Sequence, residues 1–440
     1  MPETTALILK PLAASRPLSD EDIRDAYVYL LGRALVIRQE HIDLKEPGIA
    51  YNVIKYNPLG SADFVNPNLD VAYLEAWIAV DDRTPVLLEV PEINGRYYTV
   101  QILDEWGEVI VNINERTFPS HPFGKFTLVK PGSPARIAEG SARIELHSRK
   151  AKMLARVELK NDREGAVKLQ KQFRLTSLGN PAIAPTPTMS AFNNKDLIGV
   201  EIFDDIDAKL SSALDVSPIA AEMQQKVRAV AAYAMSTQAA NAATEKRLRE
   251  NVIPQFLDYA VTKSAPSRNH WVGGSNEVGN YGRDYRLRTV VNLLGIWANT
   301  PDEALYFMAS RDADERPLHG SNQYILHFPS DQLPSGVVNA YWSIILVDVP
   351  NYRVVPNSLN RFNLNSYSPL KREPDGSLKI VIAPKPVAGT PQSNWLPSPE
   401  GKSFSMTFRT YVPKEAVRQG KWSPPALKLD VENAVTTNAA

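Results

Sequence analysis

The stretch VAYLEAWIAV, Val71 to Val80, alternates strictly: Ala72, Leu74, Ala76, Ile78 and Val80 fall on one face of a strand, and Tyr73, Glu75 and Trp77 on the other. The first face is built for a hydrocarbon core. The second suits a polar cleft in which Trp77 stacks on a ligand and Glu75 or Tyr73 transfers a proton. A half-exposed sheet face or a contact between lobes produces the same row.

Runs of the same kind extend outward from this strand. PVLLEV, GRYYTVQIL, GKFTLVK and MLARVEL fill Tyr51 to Leu178, and NQYILHF, NAYWSIILVD, LKIVIAP and FSMTFRTYV follow Gly279. Each is short and bounded by Pro, Gly or Asn, the pattern of strands in a sandwich or barrel. The 34 prolines against 22 glycines favour many short elements joined by turns. Between the strand blocks lie the Pro-rich GNPAIAPTPTM and then helical patterns from Asp196 to Lys263, with one run initiated at Pro218. YRLRTVVNLLGIWAN reads as another helix. At the start, Ser19 and Asp22 form a capping-box pair, and Ile23, Ala26, Tyr27, Leu30, Ala34 and Leu35 recur at the spacing of an amphipathic helix.

A chain of 440 residues exceeds one ordinary core. The expected division is a helical segment (1–50), a β-rich domain (51–180), a linker and helical bridge (181–278), a second β-rich domain (279–425) and a tail (426–440). Lys plus Arg and Asp plus Glu both total 49, which gives no global attraction for nucleic acid or an anionic membrane. A small molecule or another subunit fits better. With no cysteine there is no thiol nucleophile, disulfide or thiolate metal site. No run of about 18 apolar residues suggests membrane insertion, and no charged leader precedes an apolar run, so the chain as written reads as cytoplasmic.

PNLDVAYLEAW (67–77), NGRYYTVQILDEW (94–106) and QFRLTSL (172–178) resemble the recurring blocks of domain of unknown function 1254. NYGRDYRLR, ANTPDEALYF, DADERPLHGSNQYILHFP, AYWSIILVD, NRFNLNS, PDGSLKIVIA, NWLPSP and FRTYVPK together resemble domain of unknown function 1214. The chain is therefore similar to the bacterial family that joins the two. That resemblance implies paired β-sandwich lobes and a homo-oligomer but brings no settled mechanism. Because exported members are common in that family, it also leaves a periplasmic protein with a removed leader open. The fold expected is α+β, predominantly β, with two antiparallel, jelly-roll-like sandwich lobes joined by a helical segment. Glu75, where the family has a small or hydroxyl residue, and Phe118, where it tends to have Gly, depart from its pattern.

Further candidates come from the same alternation. Tyr97, Thr99 and Gln101 share a face of GRYYTVQIL and make a hydrogen-bonding wall, whereas Arg96 and Asp104 read as structural ion-pair residues. His327 lies opposite Tyr324, Leu326 and Phe328 as a general base or a packing residue. Ser405, Thr407, Arg409 and Tyr411 share a face of FSMTFRTYV, where Arg409 and Tyr411 suit a carboxylate or a developing oxyanion. The six histidines form no metal-binding spacing, and no GxSxG elbow, Walker loop or strand-linked GxGxxG occurs. No metal or cofactor is called for.

The leading expectation is a cofactor-independent enzyme, of hydrolase, lyase or isomerase type, acting on a small polar or partly aromatic metabolite. Tyr73, Tyr97, His327, Arg409 and Tyr411 would do the chemistry, and Glu75, Trp77, Gln101, Trp106, Trp342 and Trp395 would hold the substrate. One rival is a carbohydrate- or metabolite-binding sandwich in which the tryptophans alone stack on a ligand; a structural oligomer subunit is the other.

Overall fold

The computed structural model describes residues 18–60, 67–349 and 352–430. The expectations placed on residues 1–17, and on the tail beyond Asp430, lie outside them. Helix and strand each take about a quarter of the chain, so the fold is α+β with the two in balance. The strands make two β-rich lobes, and the helices lie mainly at 20–43 and between the lobes, where the sequence shows helical patterns.

Helix α1 (Asp20–Asp43) begins at the expected cap, where the Ser19 hydroxyl accepts from the Asp22 amide at 3.1 Å and the Ser19 amide donates to the Asp22 carboxylate at 3.0 Å. The predicted apolar positions are fully buried, but so are Tyr29, Leu31, Arg33, Val36 and Ile37 on its other sides. It is a central helix rather than an amphipathic cover.

The first lobe runs β1 (Lys55–Tyr56), β2 (Val71–Ala79), β3 (Val86–Val90), β4 (Tyr98–Leu103), β5 (Val109–Ile113), β6 (Gly124–Val129), β7 (Ser141–Glu145), β8 (Lys150–Glu158), α2 (Arg163–Gln170) and β9 (Arg174–Ser177). A five-stranded sheet β1-β2-β8-β4-β5 faces a four-stranded sheet β7-β6-β3-β9. Ala72, Leu74, Ala76 and Ile78 meet Val86, Leu88, Val100, Phe126 and Met153 in the core between them. The alternation read in the sequence holds in both lobes.

Helices α3 (Ile206–Ser211), α4 (Ala220–Ala234), α5 (Gln238–Arg247) and α6 (Ile253–Thr262) come next, and GNPAIAPTPTM has no regular structure. Strands β10 (Ser267–Arg268) and β11 (Trp271–Gly273) then lead to α7 (Tyr285–Leu294). Helix α7 stops short of the expected GIWAN because Ile296 and Trp297 both take positive φ. Helices α1, α4, α6 and α7 enclose a third core that also takes in Trp106. Among the described residues no helix is long and apolar enough to cross a membrane.

The second lobe runs β12 (Ala304–Ala309), β13 (Tyr324–Phe328), β14 (Trp342–Asp348), β15 (Asn363–Asn365), β16 (Leu378–Ala383), β17 (Trp395–Pro397), β18 (Phe404–Tyr411), α8 (Glu415–Arg418) and β19 (Lys428–Leu429). Its sheets are β10-β11-β12-β18-β14-β15 and β17-β16-β13-β19. Adding ten to the labels of the order β2-β8-β4-β5 and of β7-β6-β3-β9 reproduces the second lobe. The correspondence extends to the pairs that break the antiparallel rule, β6 with β7 and β16 with β17, both parallel. Helices α2 and α8 occupy the same place before the last strand. The lobes are duplicates of one topology.

Candidate functional site

The outer face of β2-β8-β4-β5 is shared by two neighbours. At one end α1 lies over it: Val36 packs with Trp77 and Leu103, while Lys150 and Lys152 reach Glu40 and Asp43 at 3.0 and 2.7 Å. At the other end the corresponding face of the second lobe meets it. There Val71, Tyr97, Ala304, Tyr341 and Tyr411 are buried together, with Tyr73, Tyr306 and Tyr367 half-buried around them. Tyr341 and Tyr411 stack at 4.2 Å, and Tyr97 stands edge-on to both at 5.9 and 5.5 Å.

The duplicated topology pairs the polar residues of this seam. Tyr73 lies opposite Arg156 on β2 and β8, as Tyr306 lies opposite Arg409 on β12 and β18. Thr99 on β4 faces Arg156 as Ser343 on β14 faces Arg409. Next to them, Asn112 and Asn114 of NINERT correspond to Asn363 and Asn365 of NLNSYS. An acid stands three residues before each strand tyrosine: Asp70 before Tyr73, Glu303 before Tyr306.

Each acid is held by the other lobe. Glu303, fully buried, accepts from the Tyr97 hydroxyl at 3.0 Å, from Asn114 Nδ2 at 3.0 Å and from Arg116 Nη2 at 2.9 and 3.2 Å. Asp70 accepts on Oδ1 from Asn363 and Asn365 at 2.7 and 2.8 Å. Its Oδ2 and the Tyr341 hydroxyl are buried without a hydrogen-bond partner, and the Ser343 hydroxyl, also buried, lies near enough to favour the Asp70 carboxylate. One acid is saturated and paired with a cation; its counterpart is half-satisfied.

Burial sets the protonation of these groups. It pushes the Asp70 carboxyl above the ordinary range, opposed in part by Asn365, Ser343, Arg409 and Asn363. It pushes the Tyr341 and Tyr411 phenols well above theirs, helped by each lobe's neighbouring phenols and by Asp70. Tyr97 is raised likewise, by burial and then by Glu303. At neutral pH the tyrosines are therefore hydrogen-bond donors rather than bases.

Arg156 is buried and donates to Gln101 Oε1 at 2.8 Å, with its guanidinium carbon 5.4 Å from the centre of the Tyr73 ring. Gln101 is in turn oriented by donating to the Ala298 carbonyl at 2.7 Å. Among the described residues no carboxylate forms an ion pair with Arg156.

The seam thus gathers Tyr73, Tyr97, Gln101, Arg409 and Tyr411 from the sequence-based candidates. The others lie elsewhere. Glu75 is engaged by Lys152 at 2.7 Å and Asn57 at 3.0 Å; these and Lys55 outweigh its burial and hold it below the ordinary carboxylate range, so it serves as an anchor for α1's end of the sheet. Trp77 donates to Asp43 at 2.9 Å and meets Trp297 edge-on. Trp106 sits in the helical core with Arg288 over its ring at 4.8 Å. Trp342 points into the second lobe's core and stacks on Phe408 at 5.5 Å, and Trp395 lies over the outside of β16 and donates to the Ala383 carbonyl. The four tryptophans do not converge. His327 is exposed on the outer face of β13, opposite Lys379 and away from the seam, because alternation turned Tyr324, Leu326 and Phe328 inward. Arg96 pairs with Asp162 at 2.7 Å, and His147 Nδ1 lies 2.7 Å from Asp104 Oδ2.

Sequence reasoning missed Asp70, Arg156, Glu303, Tyr306, Tyr341 and the asparagine pairs. The signal was present: acid-x-x-Tyr occurs at the start of β2 and of β12, and Asn-x-Asn-x-(Arg/Tyr)-(Thr/Ser) begins in β5 and in β15.

Residues 51–177 match the family described as protein of unknown function (DUF1254), and residues 303–415 match protein of unknown function (DUF1214). The chain belongs to the family that joins the two. Asp70, Tyr73 and Arg156 fall in the first matched segment and Glu303, Tyr341 and Arg409 in the second, so the seam is where the family's two domains meet. No curated protein matches the chain. It is similar to the crystal structure of the VPA0106 protein from Vibrio parahaemolyticus, with a TM-score of 0.67 and 19% identity over 93% of this chain and 99% of that one. A putative uncharacterized protein from Burkholderia cenocepacia covers 95% of this chain, and is itself 91% covered, at a TM-score of 0.48 and 10% identity.

Proposed function

We propose that the chain is an enzyme that works without an organic cofactor and performs acid/base chemistry on a small polar or partly aromatic metabolite held between its two lobes. One observation carries this reading: Asp70 Oδ2 and the Tyr341 hydroxyl are buried without a partner on one side of a single seam, with the buried Ser343 hydroxyl beside the carboxylate. Each such atom costs on the order of 1–3 kcal/mol, and groups of them persist in folded proteins where function uses them.

The roles follow from the environments. Asp70 Oδ2 exchanges the proton. The phenols of Tyr341 and Tyr411, held protonated by burial, donate to oxygen where negative charge develops. Arg156, fixed by Gln101, and Arg409 supply positive charge on the same face, while Tyr73 and Tyr306 border the seam. Proton removal coupled to charge on oxygen is the pattern of an elimination or isomerisation; hydrolysis would use the same groups on a water. The shared eight-strand order also supports reading each lobe as a jelly-roll-like sandwich, and the family resemblance adds a homo-oligomer.

The test is a thermal-shift screen of the purified protein against a metabolite library, followed by product detection on every stabilising compound. The expected result is a compound consumed by wild type, at least 100-fold more slowly by Asp70→Asn, and more slowly by Tyr341→Phe. Stabilisation with no consumption by wild type would sink the enzymatic reading.

A further inference from the structure

We infer that the Asp70 side of the seam binds the primary ammonium group of a small organic molecule, in the way the protein's own Arg116 is bound by Glu303. This names a ligand class for the site proposed above and rests on that site being functional.

The argument runs through the duplicated lobes. On the Glu303 side Arg116 supplies a cation: its Nη2 donates to both carboxylate oxygens at 2.9 and 3.2 Å, and its guanidinium carbon lies 4.9 Å from the centre of the Tyr97 ring. Carboxylate, asparagine amide and tyrosine face make a complete cradle for a positive group. On the other side Asp70 takes the place of Glu303, Asn365 that of Asn114 and Tyr341 that of Tyr97. The residue in the place of Arg116 is Tyr367, two positions after Asn365 as Arg116 is two after Asn114. Both backbone amides are tied in the same way, each donating to the asparagine Oδ1 at 2.9 Å, so the loops are conformational equivalents. The Tyr367 hydroxyl, however, is neutral and goes to Glu158, not to Asp70.

The Asp70 cradle therefore has the carboxylate, the amide and the aromatic face but no cation on that loop; the fixed positive charge that favours its carboxylate comes from Arg409 of β18, the register partner of Ser343. Asp70 Oδ2 and Tyr341 Oη, both buried without a partner, and Ser343 Oγ, which lies near enough to favour the Asp70 carboxylate, can all accept a hydrogen bond. A primary ammonium offers three N–H donors to them and a charge to the stacked rings of Tyr341 and Tyr411.

The experiment is isothermal titration calorimetry on the full chain with a panel of primary amines from methylamine to benzylamine and tyramine, each beside its hydroxyl isostere, for example benzyl alcohol. Wild type is expected to bind at least one amine ten or more times more tightly than its isostere. Asp70→Asn should remove that preference, and Tyr367→Arg, which places a guanidinium on the loop as in the other half, should remove amine binding while the protein stays folded by circular dichroism. The inference falls if no amine is preferred, or if the preference survives Asp70→Asn. It is separable from the enzymatic reading: Asp70-dependent turnover of an uncharged compound without amine preference leaves the enzyme and removes the cation, whereas amine binding without turnover does the reverse.

Discussion

Glu303 and Asp70 occupy corresponding places in two copies of one fold, and the loops that face them carry different residues at one equivalent position. NINERT puts Arg116 beside Glu303; NLNSYS puts Tyr367 near Asp70. The first acid is paired, saturated by four hydrogen bonds and structural in character. The second keeps one oxygen uncommitted. A duplicated scaffold can thus saturate the acid in one half of an interface and leave its counterpart in the other half incompletely satisfied.

This contrast is open to direct attack, the largest effect being expected on the saturated side. Arg116→Ala leaves a buried Glu303 without its cation and should cost about 3–5 kcal/mol in urea unfolding. Adding Glu303→Gln should recover much of that loss, because the two residues act as one unit. Next, Tyr97→Phe removes one bond to a charged acceptor and should cost about 2 kcal/mol.

Asp70→Asn should behave in the opposite way, unchanged or more stable by about 1 kcal/mol at neutral pH, since its partnerless oxygen is then no longer a buried charge. The sign follows from linkage. A carboxyl raised on folding contributes stability that is fully present below its unfolded value near 4 and is lost as pH rises through the higher folded value. The advantage of Asp70→Asn over wild type should accordingly be absent at pH 3 and grow above pH 4 in thermal melts. A destabilised Asp70→Asn at pH 7 would mean that the two acids are alike after all. The smallest effect belongs to His327→Ala, which touches neither half and should stay within about 0.5 kcal/mol with ligand binding unchanged.

Strand alternation made one side of the seam legible. It correctly separated Tyr73 from Leu74, Tyr97 from Tyr98 and Arg409 from Phe408, because a residue between two sheets must turn its neighbours the other way. Trp342 lies on the inward face of β14, away from the seam, and alternation gave no means of seeing that Trp106 belongs to a turn buried by helices. The acids escaped notice for a different reason. Asp70 and Glu303 precede their strands, outside any alternating run, and their partners lie about 200–300 residues away in the chain. The repeat was hidden because loops of unequal length separate corresponding strands, so that matching residues recur without a fixed period.

Helix α1 has a consequence of another kind. Thr289 of α7 donates to the Val28 carbonyl at 2.9 Å, and a Cβ at Gly32 would come within 2.7 Å of the Thr289 hydroxyl, so the two helices are in close backbone contact. Helix α1 is therefore enclosed only after a segment made some 250 residues later has joined it, a delay on the order of 10–50 s at ordinary elongation rates. During that interval the face of α1 that meets α7 has no native partner, and the nascent chain is a natural client for chaperones that shield such faces until synthesis reaches α7.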